Sequence, residues 1–391
     1  MKHRQGLINV CLVIVALEVG GGLGYWGTRV HDDQILTRHR TLYSNAERSQ
    51  ETAKRQAAAA KQQTASPTTR YVTKVLAKHH FVGSALVVKN DHIVYRKAFG
   101  YADQSRLEKN TVNSQYQILS IQKSLTATLF MTLVDAHKVS LNTRLSRFYP
   151  TIKGAKQIRM RNLLDMTSGL TLNGVGSPKK LSEKQVVRYD VKQLRSTPKN
   201  RGKWAYQPVN FVLLSGIMMR LTHASYATLF NRTLTKPLQL KHTGFVQNWN
   251  RSPFKTTGYR YHSTKQIAPD YNKVYQETGA SMANELGTGQ VYMTAWDLFK
   301  VEHKILRGDV IPVRAVRELH QAGSASTYGG GVYNQANGIR LHGVGYGFES
   351  SALLTRNGKS GVILLTNDRR PAASIQPAAT KLFDDLTKGK L

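Results

Sequence analysis

Two sets of strand-like sequence stand at opposite ends of one long segment, and their separation constrains the fold more than any other feature. FVGSALVVKNDHIVYRKAFGYAD, from Phe81 to Asp103, holds two apolar or alternating runs about Lys89-Asn90-Asp91, the pattern of a hairpin. Strand patterns return only far downstream, in YGGGVYNQ, GIRLHGVG, FESSALLTR and SGVILLTN, between Tyr328 and Asn367. Helical periodicity dominates from about Met160 to Asn231, and a last helix is expected from Ala372 to Leu386. These strands find enough partners only by pairing across the whole domain. The expected fold is therefore α/β (α+β): an antiparallel sheet built from both ends of the catalytic domain, flanked by helices, with an inserted all-helical lobe. No internal repeat is visible.

Ahead of this domain the chain changes character. Residues 1–5 (MKHRQ) are basic, and GLINVCLVIVALEVGGGLGYWG follows, apolar apart from Asn9 and Glu18. The run from Leu7 to Trp26 has the roughly 20 residues that a bilayer span requires. Tyr25 and Trp26 suit the interface, while Glu18 is costly in mid-membrane. A cleaved signal peptide is the rival reading, but no small-x-small cleavage site follows, only a glycine run. The expectation is a retained signal-anchor over residues 6–28. A polar, partly helical stalk follows over 29–70 and a compact domain over 71–391. The catalytic domain would then lie outside a single-pass cell membrane. Cys11, inside the apolar run, is the only cysteine, so the exported part carries no disulfide framework.

Charge narrows the partners. The 391 residues include 56 Lys+Arg against 23 Asp+Glu, a net charge of +33. Such a surface attracts polyanions. For an exported chain these are cell-wall polymers, and nucleic acid is not an expected partner.

QILSIQKSLTATLF, from Gln117 to Phe130, carries the candidate chemistry. Leu125, Leu129, Leu133 and Val134 recur at helical spacing, yet the helix opens with Ser120 and Lys123 one turn apart, neighbours on one face. N–H groups at a helix start favour negative charge on an attacking oxygen. A partly desolvated lysine one turn in can serve as base. Ser-x-x-Lys alone is a weak signal, since Ser177, Ser196 and Ser252 open others. Only Ser120 precedes a long apolar helix. A helix cap beside a solvated lysine remains the plainer reading of this stretch alone.

Further blocks in order remove that ambiguity. The nucleophile region runs on as KSLTATLFMTLVDAHKVSLNTRLSRFYP. IRMRNLLDMTSGL, KWAYQPVNFVLLSGIMMRLT, ELGTGQVYMTAWDL, LHGVGYGFESS and LLTN follow. Over most of Tyr71 to Leu386 the chain resembles the serine hydrolases that include class C β-lactamases, D-alanyl-D-alanine peptidases and related esterases. Carried over residue by residue, the resemblance makes Ser120 the acylated nucleophile and Lys123 the residue that takes or relays its proton. Tyr206 becomes the second proton shuttle and His342 the basic residue of the third motif. The N–H groups of Ser120 and Gly345 would form an oxyanion hole, worth roughly 3 kcal/mol per donor. In the helix block, Thr294 and Asp297 form a capping-box pattern.

Departures from the family pattern bear on substrate. Pro208 stands where the Tyr-x-Asn motif has its amide, and Asn210 comes two residues late. Gly343 stands where the third motif has a hydroxyl residue that helps bind a carboxylate. Both changes weaken the case for β-lactams and for D-alanyl-D-alanine. A D-alanyl ester of teichoic acid carries an ammonium and no carboxylate, sits on a polyanion, and could meet Glu349. The expected function is a serine acyl hydrolase acting by an acyl-enzyme on such esters. The alternatives are a D-alanyl-D-alanine carboxypeptidase on peptidoglycan stems and a non-catalytic wall-binding protein. No cofactor or metal is expected, and His79-His80 reads as surface because no ligand-spaced partner accompanies it.

Overall fold

The computed structural model describes residues 66–172, 176–276 and 279–391. The expected membrane anchor, Cys11 and nearly all of the stalk lie outside the described residues. Among those described, no helix is long and apolar enough to cross a membrane.

The elements that position the site are these. Helix α1 spans Pro67–Lys78, strand β1 Gly83–Lys89 and β2 His92–Phe99. A short 3-10 turn, Leu119–Ile121, leads into α2, Gln122–Asp135. Helix α3 is Val209–Thr222 and α4 is Ala295–Leu306. Strands β3 (Tyr328–Gly329), β4 (Val332–Gln335), β5 (Gly338–Gly345), β6 (Phe348–Leu354) and β7 (Gly361–Thr366) follow, and α5, Gln376–Thr387, is last.

The seven strands form one sheet in the order β3-β4-β5-β6-β7-β1-β2, every neighbour antiparallel. The two ends of the domain do pair: β1 lies against β7 with Ser84 opposite Leu365 and Val88 opposite Gly361. Strand β7, GVILLT, is buried at every position, as a continuous apolar run requires of a central strand. The β1–β2 hairpin turns at Asn90 and Asp91, with φ of 49° and 67°. Two left-handed residues make the turn whose twist matches the strands, and Asn and Asp tolerate it.

Both faces of the sheet are covered. On one, Val87, Tyr95, Leu353 and Leu364 pack against Val72 and Leu76 of α1 and Ala379, Leu382 and Phe383 of α5. The domain therefore begins at Pro67, four residues before the boundary expected from composition, because Thr69, Val72 and Leu76 form a buried stripe. Proline suits the first turn, where its missing N–H costs nothing. On the other face, Leu86, Val88, Ile363 and Leu365 meet α2, α3 and α4 in the larger core.

Helix α2 is buried almost all round rather than along one stripe. Its interior hydroxyls remain satisfied because Thr126 and Thr128 donate back to the carbonyls of Gln122 and Ser124, at 3.1 and 3.0 Å. At the start of α4, Thr294 Oγ1 accepts from the N–H of Asp297 at 3.1 Å. Only this half of the expected box forms. The Asp297 carboxylate turns away, accepting from the His242 N–H and the Thr243 hydroxyl, both at 2.8 Å.

Candidate active site

The site is built where the sheet meets the head of α2. Ile118 is held by its N–H, which donates to Val291 O at 3.0 Å. Leu119 then takes φ of 52°, a left-handed conformation that a branched side chain adopts at a cost of about 1–2 kcal/mol. Strain of this kind persists only where surrounding packing holds it, and Leu119 is buried. The turn presents Ser120, half-buried, at the start of the helix. Lys123, only 1% exposed, reaches back along the same face, and its Nζ donates to Ser120 Oγ at 2.8 Å. The same amine donates to the carbonyl of Thr288 at 3.3 Å. A carbonyl on one side and the hydroxyl on the other fix the lysine, and among the described residues no carboxylate pairs with it.

Tyr206 completes the group. Its ring centre lies 5.2 Å from Lys123 Nζ, and its edge packs on Tyr328 at 6.2 Å between ring centres. Burial pushes the Tyr328 hydroxyl well above the usual tyrosine range, so that phenol stays neutral. Tyr206 is the half-exposed member of the pair and the one open to a substrate. Ser120, Lys123 and Tyr206 are thus brought together.

Strand β5 passes across the front of the nucleophile turn, and alternation decides what it contributes. Leu341 and Gly343 face the α2 side. A Cβ on Gly343 would lie 2.2 Å from Ile118 O and 3.0 Å from Ser120 N. No side chain fits there, so Gly343 is demanded by close approach of two backbones and is not a lost hydroxyl. His342 faces the other way: it pairs with Ser351 on the α5 side, and its Nε2 is 3.1 Å from Glu349 Oε1. His342 therefore does not reach Ser120, and the position that does face inward is the apolar Leu341.

The strand's oxyanion donor shifts for a related reason. The β5–β6 hairpin turns at Tyr346 and Gly347, with φ of 52° and 82°, and Gly345 pairs with Phe348. A two-residue turn of this type closes on a mutually hydrogen-bonded pair, so the Gly345 N–H is used inside the ladder. The Val344 N–H then points to the opposite edge, which is open because β4 pairs no further than Arg340. Val344, rather than Gly345, is the donor that can accompany the Ser120 N–H.

Residues 68–386 match the Beta-lactamase family. This chain belongs to that family. Teichoic acid D-alanine hydrolase of Staphylococcus aureus is 29% identical over 293 residues, 72% of this chain and 69% of that protein. PbpX of Bacillus subtilis (strain 168) is 26% identical over 370 residues, 94% of this chain and 90% of that one. Among solved structures, FmtA from Staphylococcus aureus superposes with a TM-score of 0.71 at 25% identity, covering 82% of this chain and 89% of that one. D-amino acid amidase from Ochrobactrum anthropi SV3 shares the fold, with a TM-score of 0.70 at 18% identity over 83% of this chain and all of that one. The chain is accordingly a β-lactamase-like serine hydrolase, and the antiparallel sheet flanked by helices is the fold of its relatives.

Against the expectations for this β-lactamase-like chain, two substrate-binding residues are also misplaced. Asn210 is 1% exposed and spent internally: its amide donates to Gln207 O at 2.9 Å and its Oδ1 accepts from Ser168 at 2.6 Å. Glu349, 3% exposed, accepts from Ser374 at 2.6 Å as well as facing His342, so it meets no substrate. The competing Ser-x-x-Lys serines head no buried helix. Ser177 bonds its own loop at Lys179, Ser196 lies in a short strand, and Ser252 follows a 3-10 turn. Among the described residues no group of His, Cys, Asp and Glu could hold a metal ion. Sequence reasoning missed Thr288, which acts through its backbone carbonyl, and Glu285, three residues before it. The turn ELGTG holds both, and nothing local in it marks a carbonyl or a carboxylate as functional.

Proposed function

We propose that this protein is a membrane-anchored serine esterase, its catalytic domain outside the cell, that removes D-alanyl groups from teichoic acid through an acyl-enzyme. The observation that carries the acyl-transfer part is the 2.8 Å contact of Lys123 Nζ with Ser120 Oγ at the head of a buried helix. Ser120 Oγ forms a bond to the ester carbonyl carbon while its proton passes to the Lys123–Tyr206 pair. The N–H groups of Ser120 and Val344 stabilise the oxyanion. The bond to the polymer oxygen breaks, and that oxygen takes the proton by way of Tyr206. Water then attacks the acyl-enzyme, releasing D-alanine and returning the proton to Ser120.

The choice of ester rests on three supports. Strand β5 turns Leu341 and Gly343 to the nucleophile, so it offers a substrate carboxylate neither a cation nor a hydroxyl. The +33 charge suits a polyphosphate carrier. One relative is named for hydrolysing D-alanine from teichoic acid. The test is D-alanine released by the full chain from D-alanylated teichoic acid and from a stem pentapeptide at low salt. Faster release from the polymer is expected. Release from the pentapeptide alone would make the protein a carboxypeptidase and reduce its charge to a means of attachment.

A further inference from the structure

The cavity lined by Thr288, whose carbonyl holds Lys123, has the wrong charge for this protein. It encloses about 430 Å³, and its wall includes Thr288, Pro208, Tyr346, Asp190 and Glu285. In a chain carrying +33, the described residues that line this cavity include two carboxylates and no lysine or arginine. Burial lifts the Asp190 carboxyl to about 6. Glu285 stands closer to the chemistry. A Cβ on Gly289 would lie 2.2 Å from Glu285 Oε2 and 3.5 Å from Leu119 Cα, so only a glycine separates this carboxylate from the nucleophile's turn. Thr288, whose carbonyl holds Lys123, donates its hydroxyl to Glu285 Oε2 at 3.3 Å. Tyr346 OH donates to Oε1 at 3.0 Å.

Both donors are neutral, and among the described residues no cation lies within ion-pair distance of Glu285. The contrast with Glu349 is instructive, because that carboxylate has a histidine opposite it. Two neutral hydrogen bonds orient the Glu285 carboxylate, and Glu285 is among the residues lining a cavity wide enough for a small acyl group. A carboxylate placed so favours a ligand that brings its own positive charge.

We infer that Glu285 is the specificity-determining residue of this site, accepting the free α-ammonium of an aminoacyl group while Ser120 attacks the neighbouring carbonyl. Asp190, also in the cavity's lining, contributes the same sign of field. The inference rests on the D-alanyl reading for the identity of the acyl group, but not for the polymer that carries it. It also explains how a strongly basic protein admits a cationic acyl group. The polyphosphate chain stays on the basic exterior, and the ammonium enters a locally acidic recess.

The test compares the full chain with Glu285→Gln on two small substrates, D-alanine methyl ester and N-acetyl-D-alanine methyl ester. The wild type should favour the free amine by about 10- to 100-fold in kcat/KM, the scale of a charge-assisted hydrogen bond. Glu285→Gln should bring that ratio close to unity, mainly through KM of the free amine, and Glu285→Asp should restore part of it. Equal rates of the wild type on both esters would overturn the assignment even if the variants failed to fold. A loss of equal size on both esters, with acyl-enzyme accumulating, would overturn it too and make Glu285 the group that activates water. Retained ammonium selectivity together with no release from teichoic acid would leave Glu285 in place and remove the polymer instead.

Discussion

Ser120 and Ser124 stand one turn apart at the head of α2, and each is hydrogen-bonded to an ionisable side chain that is itself buried. Ser120 meets Lys123 at 2.8 Å; Ser124 donates to Glu302 Oε2 at 3.2 Å. The first pair reaches solvent through the half-buried Ser120 and the second is sealed, Ser124 and Glu302 both being 0% exposed. The sealed pair shows what burial does to charge when no cation comes with it. Desolvation lifts the Glu302 carboxyl to about 8, with Ser124 opposing weakly, and Oε1 has no partner among the described residues. The open pair has a second lysine acceptor in Thr288 O, a tyrosine alongside, and backbone donors from two elements. Hydroxyl plus titratable group is therefore not enough to make a site. Access and a preorganised place for the developing charge separate the two.

The largest effect that sharpens this contrast is Ser120→Ala. Turnover of any activated ester should fall by at least about 10⁴-fold, while the melting temperature stays near that of the wild type. Esterase activity that survived at near-wild-type level would move the chemistry elsewhere and undo the comparison. Next is Tyr206→Phe, which keeps the ring on Tyr328 and removes only the hydroxyl. A loss of about 10²–10⁴ in kcat is expected. A change below threefold in steady-state assays would leave Tyr206 as packing alone.

Glu302→Gln tests the sealed pair through pH. The folded carboxyl titrates near 8 and the unfolded one near the ordinary glutamate value of about 4.3. Between these, the folded state holds a proton that the unfolded state has released, so this group makes stability fall as pH rises. Relative to the variant, the wild type should lose on the order of a few kcal/mol between about pH 4.5 and 8, then level off. Parallel denaturation curves for the two proteins across that range would show the carboxyl to be ordinary.

His342→Ala is expected to act on stability rather than on chemistry, because His342 faces α5. Removing it leaves Glu349 buried and short of a partner, at a cost of about 1–3 kcal/mol, with kcat altered less than threefold. A hundredfold fall in kcat at unchanged stability would return His342 to the catalytic group. Smallest is Ser124→Ala, which removes one hydrogen bond worth about 1 kcal/mol and should spare activity within twofold. Chemical denaturation and one ester assay suffice to check it.

Much of this was legible in the chain itself. The nucleophile could be found because Ser120 and Lys123 are linked by local geometry: residues three apart on a helix are neighbours wherever that helix goes. The hairpin at Asn90-Asp91 was readable for the same reason, since its turn residues act locally. The sheet's composition from both ends followed from where the apolar runs lie, because each run needs partners that only the other end supplies.

Tertiary structure alone decided the direction of side chains on β5 and the use of its N–H groups. A one-residue difference in phase reverses a strand's faces, and nothing within LHGVG states which face meets α2. Contact with the Ile118–Ser120 backbone sets that phase: it leaves room for no Cβ at 343, and so turns His342 to Glu349 and gives Val344 the open edge. Glu285 likewise has no local signature. Its carboxylate gains meaning only because Gly289 lets two distant turns approach, setting an uncompensated charge beside a nucleophile more than 160 residues away in sequence.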